Sequence, residues 1–180
     1  VRLLLAHPDV NVNTANKEGQ TPLHIAASLG MDACVQLLLA HPDVNVNKAD
    51  QGGLTPLHIA AGLGYDVCVQ FLLAHPDVHV SLAGKNVWTP LMTSVLGYTK
   101  HSKPTCMILL LASHRLPEED IVSTAVQIAR RLPVDANEYL ALALRVLKSE
   151  LKGHRRWCAY CYAVTAEKQP WSLCGNCLNV

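Results

Sequence analysis

Four cysteines near the end of this chain have the spacing of a metal site. Trp157-Cys158-Ala159-Tyr160-Cys161 is followed, after twelve residues, by Cys174-Gly175-Asn176-Cys177. Two Cys-x-x-Cys turns, each presenting a pair of thiolates, can close a tetrahedral zinc site with Zn–S bonds of about 2.3 Å. Gly175 and Asn176 suit a tight turn, and so short a segment buries little core, so bound metal would supply most of its folding energy. With Cys158, Cys161, Cys174 and Cys177 all serving as ligands, the one Zn2+ would be structural and would leave no position open for catalysis. Two disulfides, or free thiols, are the competing reading of the same residues.

The rest of the chain must position that segment, and its composition already limits what the protein can be. Of its 180 residues, 50% are apolar and 16% charged, which provides for a packed core and excludes a disordered chain. A net charge of +1 gives no field to steer the whole chain onto nucleic acid or an anionic membrane. The basic excess gathers between Arg130 and Arg156, where a solvated helix face accounts for it as well as a ligand does. The longest apolar runs, Leu37 to Ala40 and Met107 to Ala112, fall far short of the roughly 20 residues of a membrane span. The opening Val-Arg-Leu-Leu-Leu has no initiator Met and no secretion signal, so the native start is expected to be missing.

Repetition dominates the first two thirds. Thr21-Pro22-Leu23-His24-Ile25-Ala26-Ala27 recurs unchanged at Thr55 to Ala61, and Thr89-Pro90-Leu91-Met92 follows at the same 34-residue interval. His7-Pro8-Asp9-Val10, His41-Pro42-Asp43-Val44 and His75-Pro76-Asp77-Val78 keep the same step. Thr21 can cap a helix, Pro22 sits where a missing N–H costs nothing, and Gly30 permits the left-handed turn that ends it. A first helix is therefore expected from Thr21. A second is expected from about Asp32 to Ala40, with Ala33, Val35, Leu38 and Leu39 turned toward the stack. Polar segments such as Asn45 to Leu54, rich in Gly and Asn, read as turns.

Asp50-Gln51-Gly52-Gly53-Leu54-Thr55-Pro56-Leu57-His58 resembles the ankyrin repeat, a unit of about 33 residues with a hairpin-like finger and two antiparallel helices. The resemblance implies an all-α ankyrin-repeat solenoid with a small zinc-stabilised module behind it. Residues 1–114 hold the repeats, the first partial and the fourth carrying an insertion at Tyr98 to Pro104. Residues 115–152 are expected to form a degenerate capping repeat, in which Thr124 to Ala136 aligns with Thr21 to Ala33, or a helical pair, and residues 153–180 hold the cysteine module. Such proteins are mostly intracellular, cytoplasmic or nuclear, where disulfides are rare, and this favours zinc. The zinc segment resembles, in part, nucleoporin-type fingers and the start of MYND or RING domains.

The remaining chemistry-bearing residues fall into the repeat frame. His24 and His58 take the signature position, where the family's imidazole is a structural hydrogen-bonding group. His7, His41, His75 and His114 fall at the ends of second helices, where a cation would meet the negative end of the helix dipole. Cys34, Cys68 and Cys106 occupy equivalent positions of the second helix and read as buried small hydrophobes. No phosphate-binding glycine loop or nucleophile turn is present, so no enzyme is expected. The resemblance instead implies a protein-binding scaffold whose partner lies across the fingers and the exposed side of the first helices. The variable finger positions are the expected contacts: Lys17 and Glu18 with Asn16 and Gln20; Asp50 and Gln51 with Leu54; Lys85, Asn86 and Trp88. Two alternatives are a substrate-recognition part of a ubiquitin-ligase assembly, and ubiquitin or RNA binding through the zinc module. A membrane partner is not expected and nucleic acid is disfavoured.

Overall fold

The structure is a computed structural model, and it describes residues 2–5, 7, 9–86, 88–96, 104–113 and 116. These lie within the first of the two units into which the chain divides, Val1–Pro117. Most of the insertion, the capping repeat expected over 115–152 and the cysteine module of 153–180 therefore fall outside the described residues. Within them the secondary structure is helical, without a strand: α1 (Arg2–Leu5), α2 (Pro22–Ser28), α3 (Asp32–Leu39), α4 (Pro56–Leu63), α5 (Asp66–Ala74), α6 (Pro90–Leu96) and α7 (Pro104–Ala112). Helices α2 and α3, α4 and α5, and α6 and α7 pack as pairs. The pairs stack so that α2, α4 and α6 form one layer and α3, α5 and α7 the other. No helix among the described residues is long and apolar enough to cross a membrane.

Each first helix begins where the sequence placed it. Thr21 has extended backbone angles, its Oγ1 accepts the N–H of His24, and Pro22 follows as the first helical residue. The helix ends at Ser28, and Gly30 takes a φ of 63°, which allows an immediate turn into α3. The ring of Tyr65 in the next unit lies over Gly30, where a Cβ would stand only 2.6 Å from a ring carbon.

Side chains then repeat in columns through the stack. Leu23, Leu57 and Leu91 are buried beneath the first helices, Val12, Val46 and Val80 beneath the fingers, and Leu38, Leu72 and Leu110 between the second helices. Ala33 was expected to face the stack and is exposed instead. The inward stripe of α3 consists of Val35 and Leu38, one turn apart, and Ala33 lies outside that arc.

The histidines at the ends of the second helices also organise the turns that follow. The Nδ1 atoms of His7, His41 and His75 accept the backbone N–H of Asp9, Asp43 and Asp77 at 3.3, 3.2 and 3.3 Å. His7 Nδ1 and His41 Nδ1 also lie 3.8 and 4.0 Å from the carboxylates of Asp9 and Asp43, so each ring ties the helix end to the turn that follows.

Asparagine stitches neighbouring units together. Asn13 donates from Nδ2 to the Asp43 carbonyl (2.6 Å) and accepts the Asn45 N–H at Oδ1 (2.7 Å). One unit on, Asn47 does the same with the Asp77 carbonyl (2.6 Å) and the His79 N–H (2.8 Å). At the next position in the register stands Ser81, too short to repeat the bridge. Asn47→Ala is expected to lower stability by about 1–3 kcal/mol, because two backbone groups lose their partners. Gly53 has a φ of 77°, and a Cβ there would meet the Lys85 backbone nitrogen at 2.6 Å. Gly53→Ala should therefore cost more than about 1 kcal/mol. Urea unfolding followed by circular dichroism measures both changes, and Ala33→Ser, on the exposed side, should leave the midpoint unmoved.

Candidate functional site

The fingers are built from their own side chains before they offer anything to a partner. In the first described finger, Asn16 Oδ1 accepts the N–H groups of Glu18 (3.0 Å) and Gln20 (2.8 Å). In the next, Asp50 Oδ1 accepts those of Gly52 (2.8 Å) and Leu54 (2.9 Å). Short acceptors of this kind close a turn by replacing a backbone carbonyl. Each finger is also closed by a backbone bond, from Asn16 to Gln20, Asp50 to Leu54 and Gly84 to Trp88, all 2.9 Å.

Adjacent fingers are tied edge to edge. Gln51 donates its N–H to the Glu18 carbonyl (3.0 Å), and Lys85 donates to the Gly52 carbonyl (3.3 Å). The Gln51 side chain adds a bond from Nε2 to the Lys17 carbonyl at 2.8 Å. Lys48 reaches back from Nζ to the Asn13 carbonyl at 3.0 Å.

From beneath, the fingers are held by the signature histidines, both fully buried. His24 Nδ1 accepts the Thr21 N–H at 3.1 Å while its Nε2 meets the Leu54 carbonyl of the next finger at 3.0 Å. His58 repeats this with the Thr55 N–H (3.1 Å) and the Trp88 carbonyl (3.0 Å). Burial holds both rings below the ordinary histidine pKa, against the opposing pull of the carbonyls they contact and of Asp50. In the fourth unit Met92 takes this position and donates only its backbone N–H to Thr89 Oγ1 (3.3 Å).

Several expected contact residues thus have framework duties. Asp50 is half-buried and its Oδ1 is occupied within the finger. Trp88 is half-buried and its carbonyl closes both a finger and the His58 bond. Lys17, Glu18, Gln51, Lys85 and Asn86 are exposed along the finger row, with Asn16 beside them and Gln20 and Leu54 half-buried.

The expectation of an open face on the first helices holds only for α2. There Ile25 is 39% exposed, whereas its counterpart Ile59 in α4 is at 9%. In α4 every residue from Pro56 to Gly62 is buried, and in α6 so is every residue from Pro90 to Val95. The run Pro-Leu-His-Ile-Ala-Ala is the same in α2 and α4, so the difference lies in their surroundings and not in their composition. In α6 the two polar side chains are satisfied at home: Thr93 Oγ1 donates to the Pro90 carbonyl (2.8 Å) and Ser94 Oγ to that of Leu91 (2.7 Å).

Beside α2 lies an apolar groove of about 350 Å³, lined by residues that include Leu5, Val12, Ile25, Met31, Cys34 and Leu38.

The cysteines of the second helices hold no site among the described residues, where no cluster of metal-ligating side chains occurs. Cys68 Sγ donates to Asp32 Oδ1 at 3.0 Å, and burial together with that carboxylate pushes its thiol up to about 12.

Helix pairs stacked on one period, joined by hydrogen-bonded fingers, define a helical-repeat solenoid. A sequence profile described as "Ankyrin repeats (3 copies)" matches residues 1–83 and again residues 43–123. The chain belongs to the ankyrin-repeat family. Among solved structures it is similar to the crystal structure of EF0377, an ankyrin repeat protein, with a TM-score of 0.70 and 16% identity. That likeness covers 83% of this chain and 73% of the other, and at such identity it is a likeness of fold. None of the curated proteins matches the chain.

Cys68 should resist modification in the native state, because the thiolate and not the thiol is the nucleophile. With iodoacetamide at pH 8 and peptide mapping, the half-buried Cys34 is expected to react first, and Cys68 only after unfolding. Native labelling of Cys68 at the rate of Cys34 would contradict its burial against Asp32.

Proposed function

We propose that this chain is a non-enzymatic scaffold that binds a protein partner along its finger row, through Lys17, Glu18, Gln51, Lys85 and Asn86. Ankyrin repeats generally mediate protein–protein interaction, and that is the coarse part of the reading. The observation that carries the finer part is the division of labour within each finger. One acceptor side chain, Asn16 or Asp50, closes the turn, while the exposed residues that follow differ from unit to unit. A frame that is constant and a surface that varies are what selective recognition by a repeat protein requires. Burial of α4 and α6 supports contact at the fingers and α2 and argues against a groove across all three first helices. Asp50 and Trp88 contribute by setting finger shape.

Captured partners identified by mass spectrometry, then purified, provide the test. The triple variant Lys17→Ala/Lys85→Ala/Asn86→Ala is expected to weaken binding at least about tenfold, roughly 1.4 kcal/mol, with the melting temperature unchanged. Asp50→Ala should lower the melting temperature as well. Unchanged affinity in the triple variant would show that the partner sits elsewhere.

We further propose that Cys158, Cys161, Cys174 and Cys177 hold one structural zinc ion, a reading supported by their spacing and by the chemistry of thiolate ligands. Elemental analysis should find about one zinc per chain, since four thiolates complete one tetrahedral site. A zinc-free protein with these four cysteines in disulfides would defeat this assignment.

A further inference from the structure

Two fingers of the binding row are latched from below by neutral histidines that water does not reach. The carbonyls of Leu54 and Trp88 each accept two bonds: from the amide that closes the finger, Asp50 or Gly84, and from the imidazole of the preceding unit, His24 or His58. The tautomer with hydrogen on Nε2 serves both ring bonds at once, donating to the finger and accepting from threonine at Nδ1. A proton on Nδ1 turns that acceptor into a donor that can reach the threonine Oγ1 at 2.8 Å, but it removes the partner of the Thr21 or Thr55 N–H and puts a charge into a closed pocket.

Little nearby offsets such a charge. Asp50 is the one carboxylate that acts on both rings, and its Oδ1 is already held by the amides of Gly52 and Leu54. At His24 the cation Lys48 opposes Asp50, and at His58 Asp50 acts alone among charged groups.

We propose that His24 and His58 are acid-sensitive latches of the finger row: a proton taken up by either ring draws it out of its pocket and frees the finger it holds. This rests on the reading of the fingers as the partner-binding surface, and adds to it a means of regulation. The sign follows from burial, which lowers the proton affinity of both rings in the closed state. The closed latch is thus fully favoured above the free histidine pKa of 6.5 and weakens as the pH falls below it toward the closed-state value. With one proton taken up per opening, the opening equilibrium rises about tenfold per pH unit in that window. Met92 cannot titrate, so the response belongs to the two fingers that His24 and His58 hold.

Amide hydrogen exchange of the whole chain, corrected for the intrinsic effect of pH, reads the latches without any partner. A negative result there leaves the partner-binding reading intact, and a failed binding assay leaves the latches intact. The Asp50 and Gly84 amides are expected to lose protection about tenfold per pH unit below pH 6.5, while Val69 within α5 changes less. His24→Gln should abolish the pH dependence at Asp50 and keep it at Gly84, and His58→Gln should do the reverse. Glutamine is apt because its amide nitrogen can still donate to the finger carbonyl without titrating. If a variant does not fold, ring nitrogen signals of the unmodified protein decide. They should show hydrogen on Nε2 alone at pH 7.5, with ring protonation and finger deprotection at the same pH. Protection that stays flat from pH 7.5 to 5, or a pH dependence that survives in both variants, would overturn the proposal.

Discussion

The buried imidazole is the joint on which this stack depends. His24 touches the start of its own helix through Thr21 and the close of the next unit's finger through Leu54, so one side chain fixes both a local cap and a neighbour 30 residues away. Neither contact would be available to an aliphatic residue of the same size. A buried ring also has to be fully satisfied to be tolerated, and here both nitrogens are. Finger geometry, helix start and unit spacing are therefore set together.

Around that joint the structure separates parts that repeat from parts that vary. Leucine, valine and alanine columns run through the interior at constant register, and alanines such as Ala26, Ala27, Ala60 and Ala61 keep the first helices close. Unlike Ile25 in α2, the residues from Pro56 to Gly62 and from Pro90 to Val95 are buried. The exposed residues of the finger row differ from unit to unit, while α2 and α4 share the run Pro-Leu-His-Ile-Ala-Ala. In a repeat protein each unit meets chiefly its neighbours, so residues on the row can change without disturbing the frame.

Much of this was legible in the sequence. Two landmarks on one 34-residue period located the helix starts, the buried leucines and the structural histidines. What the sequence did not show has a common origin. Ala33 is apolar and near the inward stripe, but its side is decided by the angular position of Val35 and Leu38. His7, His41 and His75 were placed correctly at helix ends. Their contact with a turn amide two residues on is one that a helix-dipole argument does not consider. Asp50 reads in the sequence as a variable finger position and a candidate contact. Its role depends on a bond to its own finger, the same one that Asn16 makes with a different side chain. Asn13 and Asn47 left a visible trace in their 34-residue spacing, yet the groups they meet lie in the neighbouring unit. The closed faces of α4 and α6 are a property of the stack and not of either segment alone.

The asparagine bridges also determine how the molecule answers a pull along its chain. Tension applied at the two ends loads the seams between units, and a seam that yields releases one unit of 34 residues. At roughly 3.3–3.6 Å per extended residue, that is on the order of 110–120 Å of new length for each event. Asn13 and Asn47 give their two seams the same pair of bonds, so those seams resist alike. In these two seams the resistance is thus written at a single position of the repeat.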